Sequence, residues 1–360
     1  MRWFSKVVMA FASVGVLACG QGAGSKPTAS GEAGSAPKAA ETAVSVDPAK
    51  GQLLRVVSSF SVLGDMAREI GGERVQVENL VGIDQDAHVY QPTPQDLQKL
   101  KNAQVFVSNG LNYEGWMARM QENSGFKGVS VVASNGVPAI EAPKHGEQGH
   151  DHERDHQNAA APADGHAHGA MDPHAWLDAT LVEKYYVPNI LKGLIAADPA
   201  GEAYYKQRAQ AYSAQLNQLS IQIHQILDRI PRAQRKAVVN HRSFEYFGKA
   251  YGVDFHSAQG LTTESQPSAK QVAQLIEQIK QDQIRALFVE NISNPKLIEQ
   301  IASETGVRVG GKLYSESLSS ETEAYGATYL KMMQYNANQL FAAMREIKRM
   351  DSMLCHPFSE

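Results

Sequence analysis

Two stretches of alternating strand and helix patterns constrain the fold of this chain more than any other feature. In the first stretch, apolar, β-branched runs occur at 53–59, 75–81, 104–108 and 129–133, and helical patterns at 60–70 and 94–102 separate the first three. In the second stretch, runs of the same kind occur at 237–240, 286–290 and 307–313. Helical patterns lie between and after them, at 243–251, 268–281, 294–305 and 323–349. Because strands that alternate with helices form parallel sheets, the pattern predicts an α/β protein with two lobes, each a mainly parallel sheet flanked by helices.

A long helical pattern lies between the two stretches. Apolar residues recur there at three- and four-residue steps from Tyr204 to Leu227, and Pro231 ends the pattern. About 28 residues at ~1.5 Å each form a rod of roughly 40 Å. We therefore expect a rigid connector helix over 201–231, which joins an N-terminal lobe, 51–200, to a C-terminal lobe, 232–350, and allows little hinge motion.

The first 50 residues have the composition of an export signal and a tether. Residues 1–18 contain two basic residues and an apolar stretch of about 11 residues, which is too short to cross a ~30 Å hydrocarbon core. The sequence Val-Leu-Ala-Cys, which ends at Cys19, resembles a bacterial lipobox, in which the cysteine is lipidated. An ordinary signal peptide that contains a cysteine is the alternative. Residues 19–50 are rich in Gly, Ala, Ser and Pro, which predicts a flexible tether to a lipid-anchored start.

Composition excludes several classes of protein. Lys and Arg number 34 against 38 Asp and Glu, so no basic excess indicates nucleic-acid binding. The two cysteines, Cys19 and Cys355, are too few for a disulfide-stabilised scaffold. Hydrophobic residues make up 43% of the chain, which is enough for a buried core. We expect an exported monomer, in the periplasm or at the cell surface.

Half of the 12 histidines fall in one predicted loop, 142–170. They alternate with Asp and Glu and follow no apolar period, and they are His145, His150, His152, His156, His166 and His168. Such a composition is typical of a tract that binds metal weakly and exchangeably. The alternative is a soluble insertion whose histidines are incidental.

Three isolated histidines lie at the edges of the predicted lobes. His88 and His241 follow strand patterns, and His174 follows the His-rich loop. Open α/β sheets bind ligands at the carboxyl ends of their strands, and the chain also has a His-rich tract, so the three histidines predict a metal site at the lobe edges. A tetrahedral Zn²⁺ needs a fourth ligand, and Glu316, directly after the last strand pattern, is the candidate. A solvated loop carboxylate is the alternative for Glu316. His224, His256 and His356 are assigned no role.

Five segments together resemble a known family, over about residues 53–347. The chain is similar to the metal-binding cluster of ABC-transporter substrate-binding proteins, the zinc/manganese or adhesin-type lipoproteins. The segments that carry the resemblance are 86–96, 171–178, 240–253, 288–295 and 313–319. The His-rich loop and segment 262–269 resemble the periplasmic zinc-binding members, of the ZnuA/AztC kind.

The resemblance implies four metal ligands, carried over by motif to His88, His174, His241 and Glu316. Manganese-type members usually have glutamate at the third point, so His241 resembles the zinc type. The fourth point is usually aspartate, and the extra methylene of Glu316 moves its carboxylate by up to about 1.5 Å. Direct ligation after a loop shift, ligation through water and an open coordination position are the three alternatives. The family-like Glu114 is given no ligand role.

The predicted function is Zn²⁺ binding outside the cytoplasmic membrane and delivery to the permease of an ABC importer, without catalysis. A metallochaperone that loads the His-rich loop is a second expected partner. A manganese or iron carrier and a surface adhesin are the alternatives. A secreted zinc hydrolase is a more distant one, because His152-Glu153-Arg154-Asp155-His156 matches a zincin string. That string needs a helix, which its Gly- and Ala-rich surroundings disfavour.

Overall fold

The computed structural model of the protein describes residues 46–141, 171–320, 322–323 and 325–345. A four-stranded sheet forms the first lobe, from β1 (Leu54–Phe60), β2 (Val75–Val81), β3 (Val105–Ser108) and β4 (Val129–Val132). The strand order is β2-β1-β3-β4, and every pair is parallel. In the register, Val56 of the interior strand β1 lies between Val77 and Val105. This interior strand is almost entirely buried, as its continuous apolar run predicts.

The second lobe repeats this topology. Its strands are β5 (Lys236–Val239), β6 (Asp254–Ser257), β7 (Ala286–Glu290) and β8 (Val309–Leu313). They follow the order β6-β5-β7-β8, again all parallel. In each sheet the chain begins inside, moves to one edge and then continues on the other side of the first strand. A crevice at the carboxyl ends of the strands results from this reversal, and such crevices hold ligands.

Ten helices flank the sheets within the described residues. They are α1 (Ser61–Gly71), α2 (Pro94–Asn102), α3 (Met117–Ser124), α4 (Ala179–Leu181), α5 (Val187–Ala197), α6 (Glu202–Leu227), α7 (Glu245–Tyr251), α8 (Ala269–Gln281), α9 (Lys296–Thr305) and α10 (Tyr329–Met344). A π-helical turn, Val182–Tyr186, joins α4 to α5. Capping boxes begin α2 at Thr93 and α8 at Ser268, which explains why the starts of both helices can be predicted within one residue.

The predicted two-lobe α/β fold is confirmed. Both boundaries of the last helix were wrong: it runs from Tyr329 to Met344, not from 323 to 349. Thr328 caps this helix by accepting a hydrogen bond from the backbone N–H of Lys331. The segment before it is a turn in which the Ser319 backbone N–H donates to the carbonyl of Gly326, so its backbone groups are not free to extend the helix. The sequence patterns also did not predict α3, α4 and α5.

The connector helix is α6, which has 26 residues and a length of about 39 Å. Its buried residues recur at three- and four-residue steps, as predicted, and they are Tyr205, Ala209, Tyr212, Leu216, Leu219, Ile223 and Leu227. This face packs against α1 and α5 of the first lobe and α10 of the second. One apolar cluster extends from the first sheet across α6 to the second, and a smaller cluster lies between the second sheet and helices α8 and α9.

Several predictions fall outside the described residues. They concern the signal peptide and Cys19, the tether, the His-rich loop, His356 and Cys355. Among the helices that the structure describes, none combines the length and hydropathy needed to cross a membrane. The predicted domain bounds at 51, 200 and 350 stay predictions.

Candidate metal centre

Four loops bring the four predicted ligands to one point. His88 lies in the loop after β2, and His174 lies in the connection after β4. His241 follows β5 directly, and Glu316 follows β8. His88, His241 and Glu316 therefore come from the carboxyl ends of strands, as expected for a ligand crevice, and His174 directly precedes the short helical turn Ala175–Leu177.

The three imidazoles converge on a single carboxylate oxygen. The Nε2 atoms of His88, His174 and His241 lie 3.0, 3.1 and 2.7 Å from Oε1 of Glu316. The ligand atoms of all four residues lie within 4.8 Å of one another. Every one of these side chains is buried, with at most 3% of its surface exposed. Ligand atoms around a tetrahedral Zn²⁺ at about 2.0–2.1 Å are about 3.3 Å apart, so the three Nε2–Oε1 separations are within about 0.6 Å of those in a zinc site.

Two hydrogen bonds hold the loop of Glu316, one to its backbone and one to the Glu316 side chain. The indole Nε1 of Trp176 donates to the carbonyl of Ser315, at 2.8 Å. The Tyr113 hydroxyl donates to Oε2 of Glu316, the oxygen that does not face the histidines, at 3.1 Å. Burial raises the pKa of Tyr113 well above its usual range, so this hydroxyl stays protonated.

Glu316 is ionised in this environment. Burial opposes its charge, but the positive charge shared by His88 and His241 holds the pKa of Glu316 well below its usual range. An ionised carboxylate only accepts, so a hydrogen bond to Oε1 requires a proton on Nε2 of the histidine. A metal ion at the same point takes the place of those protons, so metal binding releases them.

A second carboxylate supports His174. Oδ1 of Asp172 lies 2.7 Å from Nδ1 of His174 and also accepts the His174 backbone N–H, at 2.9 Å. Burial lowers the pKa of His174, but the charge of Asp172 outweighs it and raises the pKa. The contact fixes the ring and leaves Nε2 to face the centre, which is the usual arrangement behind a metal-ligating histidine.

Glu290, at the end of β7, is the carboxylate beside His241. Oε2 of Glu290 lies 2.8 Å from Nδ1 of His241, and Oε1 accepts the His241 backbone N–H, at 2.8 Å. Ser243 donates its hydroxyl to Oε2, at 2.9 Å. Burial favours neutral His241, but Glu290 and Glu316 together raise the pKa of His241 well above its usual range.

The support of His88 comes through its backbone. Oδ1 of Asp86 accepts the His88 backbone N–H, at 2.8 Å, and the hydroxyl of Thr263 from the second lobe donates to Oδ2 of Asp86. Burial, with the nearby charge of Glu316, raises the pKa of Asp86. Thr263 lies in the zinc-type segment 262–269, so this segment contacts the loop of a predicted ligand.

The other candidates lie elsewhere or outside the described residues. His224 packs against the ring of Tyr251, and His256 lies on β6 with Nε2 3.3 Å from Asp254. Within the described ranges, neither belongs to the group of converging ligand atoms. The Glu114 carboxylate accepts bonds from Ser59 and from backbone N–H groups. The six loop histidines and the His152–His156 string lie within 142–170, outside the residues that the structure describes.

Sequence reasoning did not identify Tyr113, Asp172, Glu290 or Asp86 as parts of the centre. The sequence does contain a pattern that predicts the contacts of the two aspartates. Asp-x-His occurs at both 86–88 and 172–174, and short Asp side chains often accept a hydrogen bond from the backbone N–H two residues later. Glu290 is an acidic residue at the end of a buried apolar strand, which is also a recognisable pattern. Nothing in the local sequence of Tyr113 indicates its contact with Glu316.

Comparisons with known proteins agree with this architecture. The family model ZnuA, described as zinc-uptake complex component A, periplasmic, matches residues 56–343. The manganese-binding lipoprotein MntA of Halalkalibacterium halodurans is 32% identical over 296 residues, covering 82% of this chain and 90% of MntA. The manganese ABC transporter substrate-binding lipoprotein PsaA of Streptococcus pneumoniae is 27% identical over 350 residues, covering 94% and 98% of the two chains. The solved structure of the periplasmic zinc binding protein TroA of Treponema pallidum superposes with a TM-score of 0.71 and 26% identity, over 82% of this chain and all of TroA.

Proposed function

The chain belongs to the ZnuA family, the periplasmic component A of zinc-uptake complexes, and we propose that it binds Zn²⁺ outside the cytoplasm and delivers it to an ABC importer. It is a metal-binding substrate-binding protein of the ABC-transporter class, as are the relatives that it matches by sequence. The ion is the cargo of the protein, and the permease of the importer receives it.

The convergence of three Nε2 atoms on one carboxylate oxygen carries this proposal. Three neutral imidazoles and one carboxylate are a donor set that suits Zn²⁺, whereas Mn²⁺ prefers a larger share of oxygen ligands. Of the three alternatives for Glu316, the position of Oε1 at the centre supports direct ligation.

Manganese is the second candidate, and a specific observation favours it. The relatives MntA and PsaA are both named for manganese. A manganese-bound structure from Candidatus Liberibacter asiaticus shares the fold, with a TM-score of 0.67 and 24% identity. The third ligand distinguishes a zinc carrier from a manganese carrier. His241 offers a nitrogen ligand, which suits Zn²⁺, whereas a carboxylate at this position would favour Mn²⁺.

The protein acts as an extracytoplasmic lipoprotein in this proposal. MntA and PsaA are both named lipoproteins, and Cys19 is the residue that would carry the lipid. The His-rich loop, 142–170, captures Zn²⁺ weakly and raises its concentration near the site, and a metallochaperone that loads this loop is a further proposed partner. The role is transport without catalysis.

Release requires local movement, because the centre is buried and α6 contacts both lobes. A loop that carries a ligand must shift to open a path for the ion. We assign this step to contact with the permease, since a wide opening of the lobes would break the packing of α6.

A metal competition tests the proposal. The mature chain is stripped of metal, offered equimolar Zn²⁺, Mn²⁺, Fe²⁺ and Cu²⁺, and analysed for elemental content after gel filtration. We expect Zn²⁺ to exclude Mn²⁺ and Fe²⁺, while Cu²⁺ competes as the Irving–Williams order requires. One equivalent of tightly held Mn²⁺ in the presence of equal Zn²⁺ would overturn the zinc assignment in favour of the manganese candidate.

A further inference from the structure

The two carboxylate oxygens of Glu316 have different partners. Oε1 faces the three Nε2 atoms, and Oε2 accepts the hydroxyl of Tyr113, at 3.1 Å. We propose that Tyr113 is a positioning residue that holds Glu316 as a one-oxygen ligand and thereby sets the coordination number of the bound ion. The inference rests on the proposed function, since it concerns how the same centre chooses its ion.

Tyr113 has no freedom to leave this position. Its ring is 2% exposed and packs against four rings, with centroid separations of 4.9 Å to His88, 4.9 Å to Trp176, 5.1 Å to Phe60 and 6.1 Å to His174. The ring therefore lies between two metal-ligand candidates and the apolar core. A hydroxyl held so firmly can direct a neighbouring carboxylate, because the ring cannot rotate to follow it.

The backbone before Tyr113 adopts an unusual conformation that presents the ring. Leu111 and Asn112 have φ angles of 54° and 59°, in the left-handed region that non-glycine residues rarely adopt. The Tyr113 backbone N–H closes the turn by donating to the carbonyl of Gly110, at 3.1 Å. The buried Glu114 carboxylate accepts a hydrogen bond from the backbone N–H of Asn109, at 2.6 Å, and this bond links the two ends of the turn. Such strain persists only where the surrounding structure fixes it, and it is frequent at binding sites.

The number of bound oxygens decides which ion fits. With Oε2 occupied by a hydrogen bond, the centre offers three nitrogens and one oxygen, the four-coordinate arrangement of Zn²⁺. If both oxygens of Glu316 were free, the carboxylate could bind through both and supply a fifth donor. A higher coordination number with more oxygen favours Mn²⁺. The Tyr113 hydroxyl of the first lobe does not contact the ion. By holding Glu316 of the second lobe, it favours binding of Zn²⁺ over Mn²⁺.

Tyr113→Phe tests the inference, because it removes the hydroxyl and keeps the ring. Tyr205→Phe is the matched control, since the Tyr205 hydroxyl donates to the buried carboxylate of Asp198, at 2.7 Å, far from the centre in the connector helix. Two measurements are made on the mature wild-type chain and both variants. One is the visible spectrum of the Co²⁺ complex, whose intensity is high for four-coordinate and low for five-coordinate ions. The other is the ratio of Zn²⁺ to Mn²⁺ affinity by competition.

We expect Tyr113→Phe to weaken the Co²⁺ absorption and to lower the Zn²⁺ to Mn²⁺ affinity ratio about tenfold, with Tyr205→Phe like wild type on both counts. An unchanged spectrum and ratio in Tyr113→Phe would overturn the inference and leave the proposed function intact. Equal losses of Zn²⁺ and Mn²⁺ affinity with an unchanged spectrum would also overturn it, because they indicate a structural role alone. A wild-type chain that prefers Mn²⁺ to Zn²⁺ would overturn the proposed function itself.

Discussion

Replacing Glu290 by glutamine tests whether the outer carboxylates tune the metal centre. Glu290 is fully buried, and it accepts from the His241 backbone N–H and the Ser243 hydroxyl while its Oε2 lies 2.8 Å from Nδ1 of His241. Glutamine has nearly the same shape but is uncharged and has only one acceptor oxygen, because its amide nitrogen is a donor and cannot accept a hydrogen bond. The His241 ring then loses the negative charge beside Nδ1 that makes Nε2 a stronger ligand.

Loss of an outer partner of a ligating histidine costs about 10- to 100-fold in metal affinity. This factor corresponds to about 1.4–2.7 kcal/mol. With Zn²⁺ in excess of its dissociation constant, the stabilisation of the fold by the ion falls by the same amount. The described residues number about 270, for which the unfolding entropy is about 0.6 kcal/mol/K, so the rise in Tm caused by Zn²⁺ should shrink by about 2–5 °C.

Thermal unfolding followed by circular dichroism, with and without excess Zn²⁺, measures this increment for wild type and Glu290→Gln. Glu277→Gln is the control, because the Glu277 side chain is 65% exposed on α8 and pairs with Lys280, at 3.5 Å. A chelator competition gives the affinity independently. Equal Zn²⁺ increments for wild type and Glu290→Gln would refute the reasoning, even if the variant without metal unfolds at a lower temperature, because Glu290 would then support only the fold.

Three further predictions follow from the same structure. Deletion of 145–168 should leave one tight Zn²⁺ and remove the weak ones, and elemental analysis that finds no tight ion in the deleted chain would contradict the placement of the site. His241→Ala should lower Zn²⁺ affinity by more than the roughly 100-fold of an outer partner, whereas His256→Ala should not change it; equal effects in a calorimetric titration would count against the assignment of His241. Asp65→Asn should stabilise the protein at pH 7, because burial raises the pKa of Asp65 to about 6 and the folded state resists its ionisation. The gain, up to about 3 kcal/mol above pH 6, should vanish below about pH 4, where the carboxyl is protonated in both states; denaturant unfolding that shows the same gain at pH 4 and pH 7 would exclude this cause.

Local patterns in the sequence were enough to predict the elements that place the site. The step of three and four residues along α6 predicts its buried face from Tyr205 to Leu227, since burial on one side of a helix repeats with its turn. Strand positions predicted that His88, His241 and Glu316 would lie at carboxyl ends, because all strands of a parallel sheet end at one edge. The start of α10 was wrong because the turn at Ser319 and Gly326 competes for backbone hydrogen bonds, and periodicity does not report such bonds.

Tertiary structure alone decided how the four candidates meet. His88 and Glu316 are 228 positions apart, and His174 and Glu316 are 142 apart, yet their ligand atoms lie about 3 Å from each other. Only the packing of two lobes against α6 sets such distances, and no local period in the sequence reports it. The same holds for Tyr113 and Glu290, because their partners Glu316 and His241 come from other loops of the fold. The sequence by itself determined the elements and the kinds of ligand atom, and the assembled fold determined which oxygen of Glu316 faces the histidines, because that choice depends on contacts between the lobes.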